Sequence, residues 1–289
     1  MGSGDLNEAI KDYNKLYSDY NNLGFTAASD LDEFHWLTTL KGELIVHLTP
    51  NFGIGIGTEY LSKTNKGMGS ADYSDGISYW VGTESSEFNY NSNISILIKA
   101  VPIMLNLYYF VPVGGKASVF FAVGAAYYFG SFEYTSNYDL SLKETSVNDI
   151  YRYTENGKPE NMAKATSLGF QGGVGLEFDF TSNISLVAEI NGRMVNFKNW
   201  EGDVTNDHWS WAYSHWIETV GYAGYVDFDS DSGRYSETGK MWHYTNTDFI
   251  TEGNYKTVGI STNKPSASDR EAEINLNGFQ FRIGIRIRF

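Results

Sequence analysis

Along much of the chain, apolar and polar residues alternate one by one. The last eleven residues, FQFRIGIRIRF, put Phe279, Phe281, Ile283, Ile285, Ile287 and Phe289 on one face. Gln280, Arg282, Gly284, Arg286 and Arg288 take the other. Period two marks a strand with one apolar and one polar face. In a soluble β-sandwich the arginines would have to be exposed to water. In a transmembrane barrel the apolar face meets lipid and the arginines line a polar lumen. The barrel is the reading that gives both faces a use; detergent dependence separates it from the sandwich.

The same alternation recurs upstream. Over 34–48, Trp36, Leu40, Leu44, Val46 and Leu48 point outward, and Thr39, Lys41, Glu43 and His47 inward. Over 52–60, Ile54, Ile56, Thr58 and Tyr60 alternate with Gly53, Gly55, Gly57 and Glu59, and repeated glycines suit a crowded inner wall. A third strand, 91–110, alternates imperfectly around Lys99–Asn106. Pro102 removes a ladder donor there, so a bulge is expected, Lys99 is read as inward, and Tyr108, Tyr109 and Phe110 as an aromatic girdle. Clear strands follow at about 117–130, at 165–180 with Gln171, Glu177 and Asp179 inward, and at 184–198 with Glu189, Asn191 and Arg193 inward.

One segment has a different period. In 5–20, Leu6, Ala9, Ile10, Tyr13, Leu16, Tyr17 and Tyr20 share one helical face, with Asp5 and Glu8 placed as a capping box. This helix, within residues 1–22, is expected to plug the lumen, to cover the periplasmic mouth or to contact a partner.

Connections at 49–51, 111–116 and 181–183 are short, whereas 61–88, 139–162 and 199–270 are long and polar. Short turns at one end and long loops at the other are the asymmetry of an outer-membrane barrel, with the long loops outside. The expected fold is therefore all-β: a transmembrane antiparallel up-and-down barrel over 23–289. Seven strands are evident. An even number closes an antiparallel barrel, so a short strand near Gly24–Ala28 would make eight, and a hairpin within 199–270 would make ten.

Composition adds limits. The chain has 21 Tyr, 18 Phe and 7 Trp, five of the tryptophans falling in 199–270, which suits an aromatic-girdled barrel. A mean hydropathy of −0.34 is no obstacle, because only alternate strand residues need be apolar. No cysteine is present, so disulfides and thiolate metal sites are excluded. The net charge of −14 argues against nucleic acid, which needs a basic footprint. No apolar leader follows Met1, and Met-Gly-Ser-Gly reads as a tag on a mature chain.

The stretches LTPNFGIGIGTEY (48–60), PVGGKASVFFAVGAAYYFG (112–130), LGFQGGVGLEFDFTSNISLVAEINGR (168–193) and GFQFRIGIRIRF (278–289) resemble the small bacterial outer-membrane β-barrel proteins of the broad OmpW/OmpX-like class. The resemblance implies location in the bacterial cell outer membrane, contact with its lipid and lipopolysaccharide, and delivery by the outer-membrane assembly machinery. In that class a C-terminal aromatic, here Phe289, resembles the assembly signal. Members serve as channels, adhesion or resistance factors, and enzymes.

Candidate chemistry falls into four groups. Lys41, Glu43, Glu59, Lys99, Glu177, Glu189, Arg193, Arg282, Arg286 and Arg288 form an inward charge set, read as a salt-bridge network that supports the fold or as a pore lining. Trp209, Trp211, Tyr213, Trp216, Tyr222 and Tyr225 form an aromatic set, read as an outer girdle or as a sugar- or lipid-binding platform. Asp227, Asp229 and Asp231 are a weak calcium candidate whose glycine and glutamate stand out of EF-hand position. His208 and His215 beside Ser210 and Ser214 invite a hydrolase or acyltransferase, without a spacing that supports it. The expected function is a passive channel or transport-related barrel, monomeric, with no cofactor and no chemistry of its own. The alternative is a surface-binding or structural barrel whose loops contact glycan, lipopolysaccharide or protein.

Overall fold

The computed structural model describes residues 4–35, 37–79, 82–146, 149–216, 226–248 and 254–287, with backbone only at 77–79, 82–83, 215–216 and 226–228. Helix α1 (Asp5–Asn22) is followed by β1 (Thr26–Ser29), β2 (Thr38–His47), β3 (Phe52–Tyr79), β4 (Gly82–Gly114), β5 (Ala117–Thr145) and β6 (Asp149–Asp179). Then come β7 (Ile184–Phe197), β8 (Glu201–Trp216), β9 (Val226–Thr247), β10 (Asn254–Ser261), β11 (Arg270–Glu271), β12 (Ile274–Asn275) and β13 (Gly278–Ile287). Every described pairing is antiparallel, and the sheet curls into an open half-barrel.

The lower part of the wall carries the alternation seen in the sequence. Leu40, Leu44, Ile56, Ile103, Leu105, Val123, Leu168, Leu176, Phe281, Ile283 and Ile285 are all exposed on its outer face. A contiguous apolar belt of this extent on a solvent-facing sheet marks a lipid-contacting surface. Within it the strand order is β2-β3-β4-β5-β6-β7-β13, seven strands rather than eight. The short strand expected near Gly24–Ala28 exists as β1, but it pairs with Gly69–Asp72 of β3, above the belt.

Seven antiparallel neighbours leave β2 and β13 running in the same direction. An antiparallel ladder cannot join them, and no backbone pairing between them occurs among the described residues. Side chains link the two edges instead: Gln280 Nε2 donates to Thr39 Oγ1 at 2.5 Å, and Lys41 Nζ stands 3.7 Å from Glu189 on the far side of β13.

The stretches expected as long loops are mostly strand. Residues 61–79 and 82–88 continue β3 and β4, 139–145 and 149–162 continue β5 and β6, and 199–270 holds β8, β9 and β10. Here the outer face is polar and the inner face mixes small, polar and aromatic residues, so the ladder persists without the regular apolar alternation that reveals it below. β7 and β8 act as one rising strand interrupted at 198–200, where Trp200 is fully buried and Asn199 has φ of 54°.

The helix lies inside this upper wall, between the edge strands β1 and β10. Asn21 exchanges hydrogen bonds with the backbone of Ala27, and the Lys256 N–H donates to Asp12 at 2.7 Å. Leu6 and Ile10 pack with Leu31, Phe34, Leu61, Ile94, Ile96, Ile98 and Phe132. Gly67 and Gly69 of β3 make the room: a Cβ at Gly69 would overlap the Tyr13 and Tyr17 hydroxyls. The capping box is not formed. Gly4 is the N-cap, and the Asp5 carboxylate instead takes both Nη atoms of Arg270 at 2.6 Å and the Glu273 N–H at 2.7 Å. The helix is thus an internal element at the long-strand end, not a cover across the short turns.

Candidate functional site

The interior has three levels, each built by one face of the same strands. The lowest is the charge network. Glu59, whose side chain is 0% exposed, accepts from Arg193 Nη2 at 2.9 Å, Arg282 Nη2 at 3.1 Å and Gln280 Nε2 at 2.6 Å. Arg282 also pairs with Glu189, and Lys41 with Glu43 at 2.7 Å. Asn106 and Tyr108 each donate to Glu43 at 2.6 Å, while Gln171 donates to Asn106 at 2.7 Å. Arg286 pairs with Glu177 and lies 5.8, 5.4 and 5.0 Å from the ring centres of Tyr108, Phe110 and Phe120. Register explains the convergence: Arg282 is opposite Glu189 on β7, and Gln171 on β6 is opposite Arg193.

Four cations (Lys41, Arg193, Arg282, Arg286) meet four carboxylates (Glu43, Glu59, Glu177, Glu189), so the layer is balanced in formal charge. Buried ions hold only if paired and hydrogen-bonded. Such a layer spans the interior with side chains and offers little net field to select a passing ion.

Two expectations change here. Lys99 does not point inward: Ile98 and Ala100 on either side are buried, and Lys99 reaches Glu133 at 2.9 Å on the outer face. The inward positions at that height are Ile94, Ile96 and Ile98, because they pack on α1. Of the expected girdle residues, Tyr109 is exposed, but Tyr108 and Phe110 are buried in the interior beneath Arg286. Arg288 and Phe289 lie outside the described residues.

The middle level is α1. Tyr13 Oη is 2.8 Å from Tyr17 Oη and 3.0 Å from Ser92 Oγ, and Tyr20 donates to Asp248 at 2.7 Å. Tyr13 thereby ties the helix to β4 at Ser92, and Tyr20 ties it to Asp248 just after β9.

The upper level is a cup of about 480 Å³ above the C-terminal end of the helix. Its walls are Tyr73, Ser86, Phe88, Leu140, Leu142, Glu144, Tyr153 and Glu155 from β3 to β6, and Phe25 contributes from below. Phe25 packs 5.5 Å from Tyr20, 4.8 Å from Tyr73 and 5.6 Å from Phe88, so the helix supports the floor. Glu155 accepts from Tyr138 at 2.6 Å and Tyr153 at 2.5 Å. Burial and the Glu155 carboxylate push the Tyr153 hydroxyl up to about 12, so it remains a donor at neutral pH. Sequence reasoning missed the cup because it assigned its walls to loops. The signal available was the period-two pairs Phe88 and Tyr90, and Leu140 and Leu142.

The remaining candidates lie on β8 and β9. Trp211 and Tyr213 stack at 5.9 Å and 8°, and Trp209 is exposed on the same, outer face. Trp209 is opposite Asn156, roughly 40 Å of strand above Leu168. They are therefore too far from the belt to be its girdle. Tyr222 and Tyr225 lie outside the described residues, as does the side chain of Trp216.

Asp229 and Asp231 are exposed on an extended strand, where alternate side chains stand roughly 7 Å apart and do not converge on one ion. Asp231 instead approaches His208 Nε2 at 3.5 Å, and the Asp227 side chain lies outside the described set. No described hydrogen bond joins Ser210 to His208. The Ser210 hydroxyl meets Tyr153, and the His215 side chain lies outside the described residues, so the Ser214–His215 pairing does too.

A family model described as outer membrane protein beta-barrel domain matches residues 10–214, from within α1 to near the end of β8. No curated protein and no solved structure matches the chain.

Proposed function

We propose, for a chain that belongs to the outer membrane protein β-barrel domain family and is located in the bacterial outer membrane, a surface-binding role rather than a conducting one. The observation that carries this reading is the order of the three levels. A balanced ion layer spans the belt-level interior, α1 occupies the space above it, and an aromatic-lined cavity of about 480 Å³ opens above both. The earlier expectation of a passive channel gives way for the same reason: among the described residues the wall is not a hydrogen-bonded ring, and side chains and α1 occupy its interior.

The lining of the cup sets the ligand class. Tyr73, Phe88 and Tyr153 offer flat rings for the C–H face of a sugar, and Glu144 and Glu155 offer acceptors for hydroxyls. Two carboxylates in the cup and a net charge of −14 disfavour the phosphates of lipopolysaccharide. A neutral or cationic glycan is the ligand that fits both. Lipid of the outer membrane against the belt, and insertion by the assembly machinery, complete the set of partners proposed.

Glycan-array screening of the refolded, labelled protein tests this reading. Neutral or amino sugars are expected to bind, and Tyr73→Ala is expected to weaken the best of them at least tenfold, about 1.4 kcal/mol, while heat-modifiable gel mobility stays unchanged. Absence of any glycan signal, or binding indifferent to Tyr73→Ala, contradicts the assignment.

A further inference from the structure

We infer that Asp5, Glu8 and His243 form a site for a zinc-type divalent ion that pins the first turn of α1 to β9. This goes beyond the surface-binding reading and does not depend on it. Asp5 and Glu8 are three residues apart, on one side of the first helical turn. His243 belongs to β9, where it is opposite Arg270 and Val258. One potential ligand atom from each of the three lies within 4.8 Å of the other two.

His243 carries the argument beyond a cluster of acids. It is only 5% exposed, and its Nε2 is buried with no hydrogen-bond partner. An unpaired buried nitrogen is a cost that a protein rarely leaves without a compensating ligand. The nitrogen faces Glu8 Oε2 at 3.4 Å, too long for a good charge-assisted hydrogen bond. It is, however, the separation of two ligands on one tetrahedral ion: with bonds of about 2.0–2.1 Å, neighbouring donors stand roughly 3.3–3.4 Å apart.

Asp5 completes the set. Its carboxylate accepts two bonds from Arg270 and one from the Glu273 N–H. A carboxylate has about four lone-pair directions, so one remains for an ion. Arg270 then orients a ligand, as the outer hydrogen bonds of metal sites do. Glu8 is half-exposed, which leaves room for water as a fourth donor. One nitrogen and two carboxylates suit zinc and match poorly the six to eight oxygens that calcium takes.

The test is calorimetric titration of tag-free, refolded protein in detergent with zinc chloride and, separately, calcium chloride. The expected result is one zinc per chain, with calcium at least tenfold weaker. Glu8→Gln and His243→Ala are each expected to weaken zinc at least tenfold. Zinc should also slow tryptic cleavage at Lys11 and Lys15 in the parent and not in Glu8→Gln. Glu8 is half-exposed and approaches only His243 among the described contacts, so Glu8→Gln decides the matter if His243→Ala does not fold. Absence of saturable zinc binding, zinc binding unchanged by Glu8→Gln, or calcium as tight as zinc overturns the site.

Discussion

Glu59→Ala is expected to destabilise the refolded protein by about 3–5 kcal/mol, read as a lower urea midpoint and as earlier loss of the compact gel band on heating. Glu59 is the anion on which three strands converge. Arg193 from β7 and Arg282 and Gln280 from β13 all donate to it, and its side chain has no exposure. Removing it leaves the buried Arg193 without a carboxylate and Arg282 with Glu189 alone. The loss of counter-charge, rather than of side-chain volume, dominates. Glu59→Gln, which keeps the shape, is therefore expected to fall between parent and alanine variant. The site also bears on closure: Glu59 gathers β13 against the β2–β3 hairpin, where no backbone ladder joins them among the described residues. A variant within 1 kcal/mol of the parent would show that the belt and the ladders alone hold the seam.

Gly69→Leu is expected to displace α1 from the wall while leaving the barrel folded. The backbone of β3 at Gly69 touches the hydroxyl ends of Tyr13 and Tyr17, so any side chain there overlaps the helix. Overpacking of this kind costs about 1–3 kcal/mol, and the helix is the element able to give way. Lys11 and Lys15 are exposed on the helix but cleavable only when it opens locally. Tryptic release of the N-terminal fragment should accelerate roughly tenfold or more, with heat-modifiable mobility retained. Unchanged cleavage would mean that the helix is held by its ends, through Asp5–Arg270 and Tyr20–Asp248, and not by its fit to β3.

The lower wall was legible in the sequence because one of its faces meets lipid and the other does not. Ile283 and Arg282, or Leu176 and Glu177, lie where alternation places them. The upper wall was not, because its outer face is polar and much of its inner face is small or polar where it meets the helix (Asn65, Gly67, Gly69, Ala71), which removes the pattern: 61–79 reads as loop and folds as strand. β4 holds the most instructive signal. Its apolar residues occupy even positions at Ile94, Ile96 and Ile98 and odd positions at Val101, Ile103, Leu105 and Leu107. No bulge causes the switch, since β4 pairs with β5 without a shift through Val111. It marks the height at which the apolar face turns from lipid to the buried helix, and it explains why Lys99 points outward. The strand number escaped the sequence for a different reason. The rule that antiparallel barrels close with even numbers assumes a closing ladder, and this sheet has two parallel-running edges joined by side chains. The cup was out of reach because it depends on which strand extensions face one another above α1.

The most direct test of an occupied interior is single-channel recording of the full-length protein in planar bilayers, after heat-modifiable mobility has shown it to be folded. The expected result is silence, because the ion layer around Glu59 and the helix above it both fill the path. Steady, reproducible conductance steps from the folded protein would contradict the account and return the inward charges to the role of a pore lining.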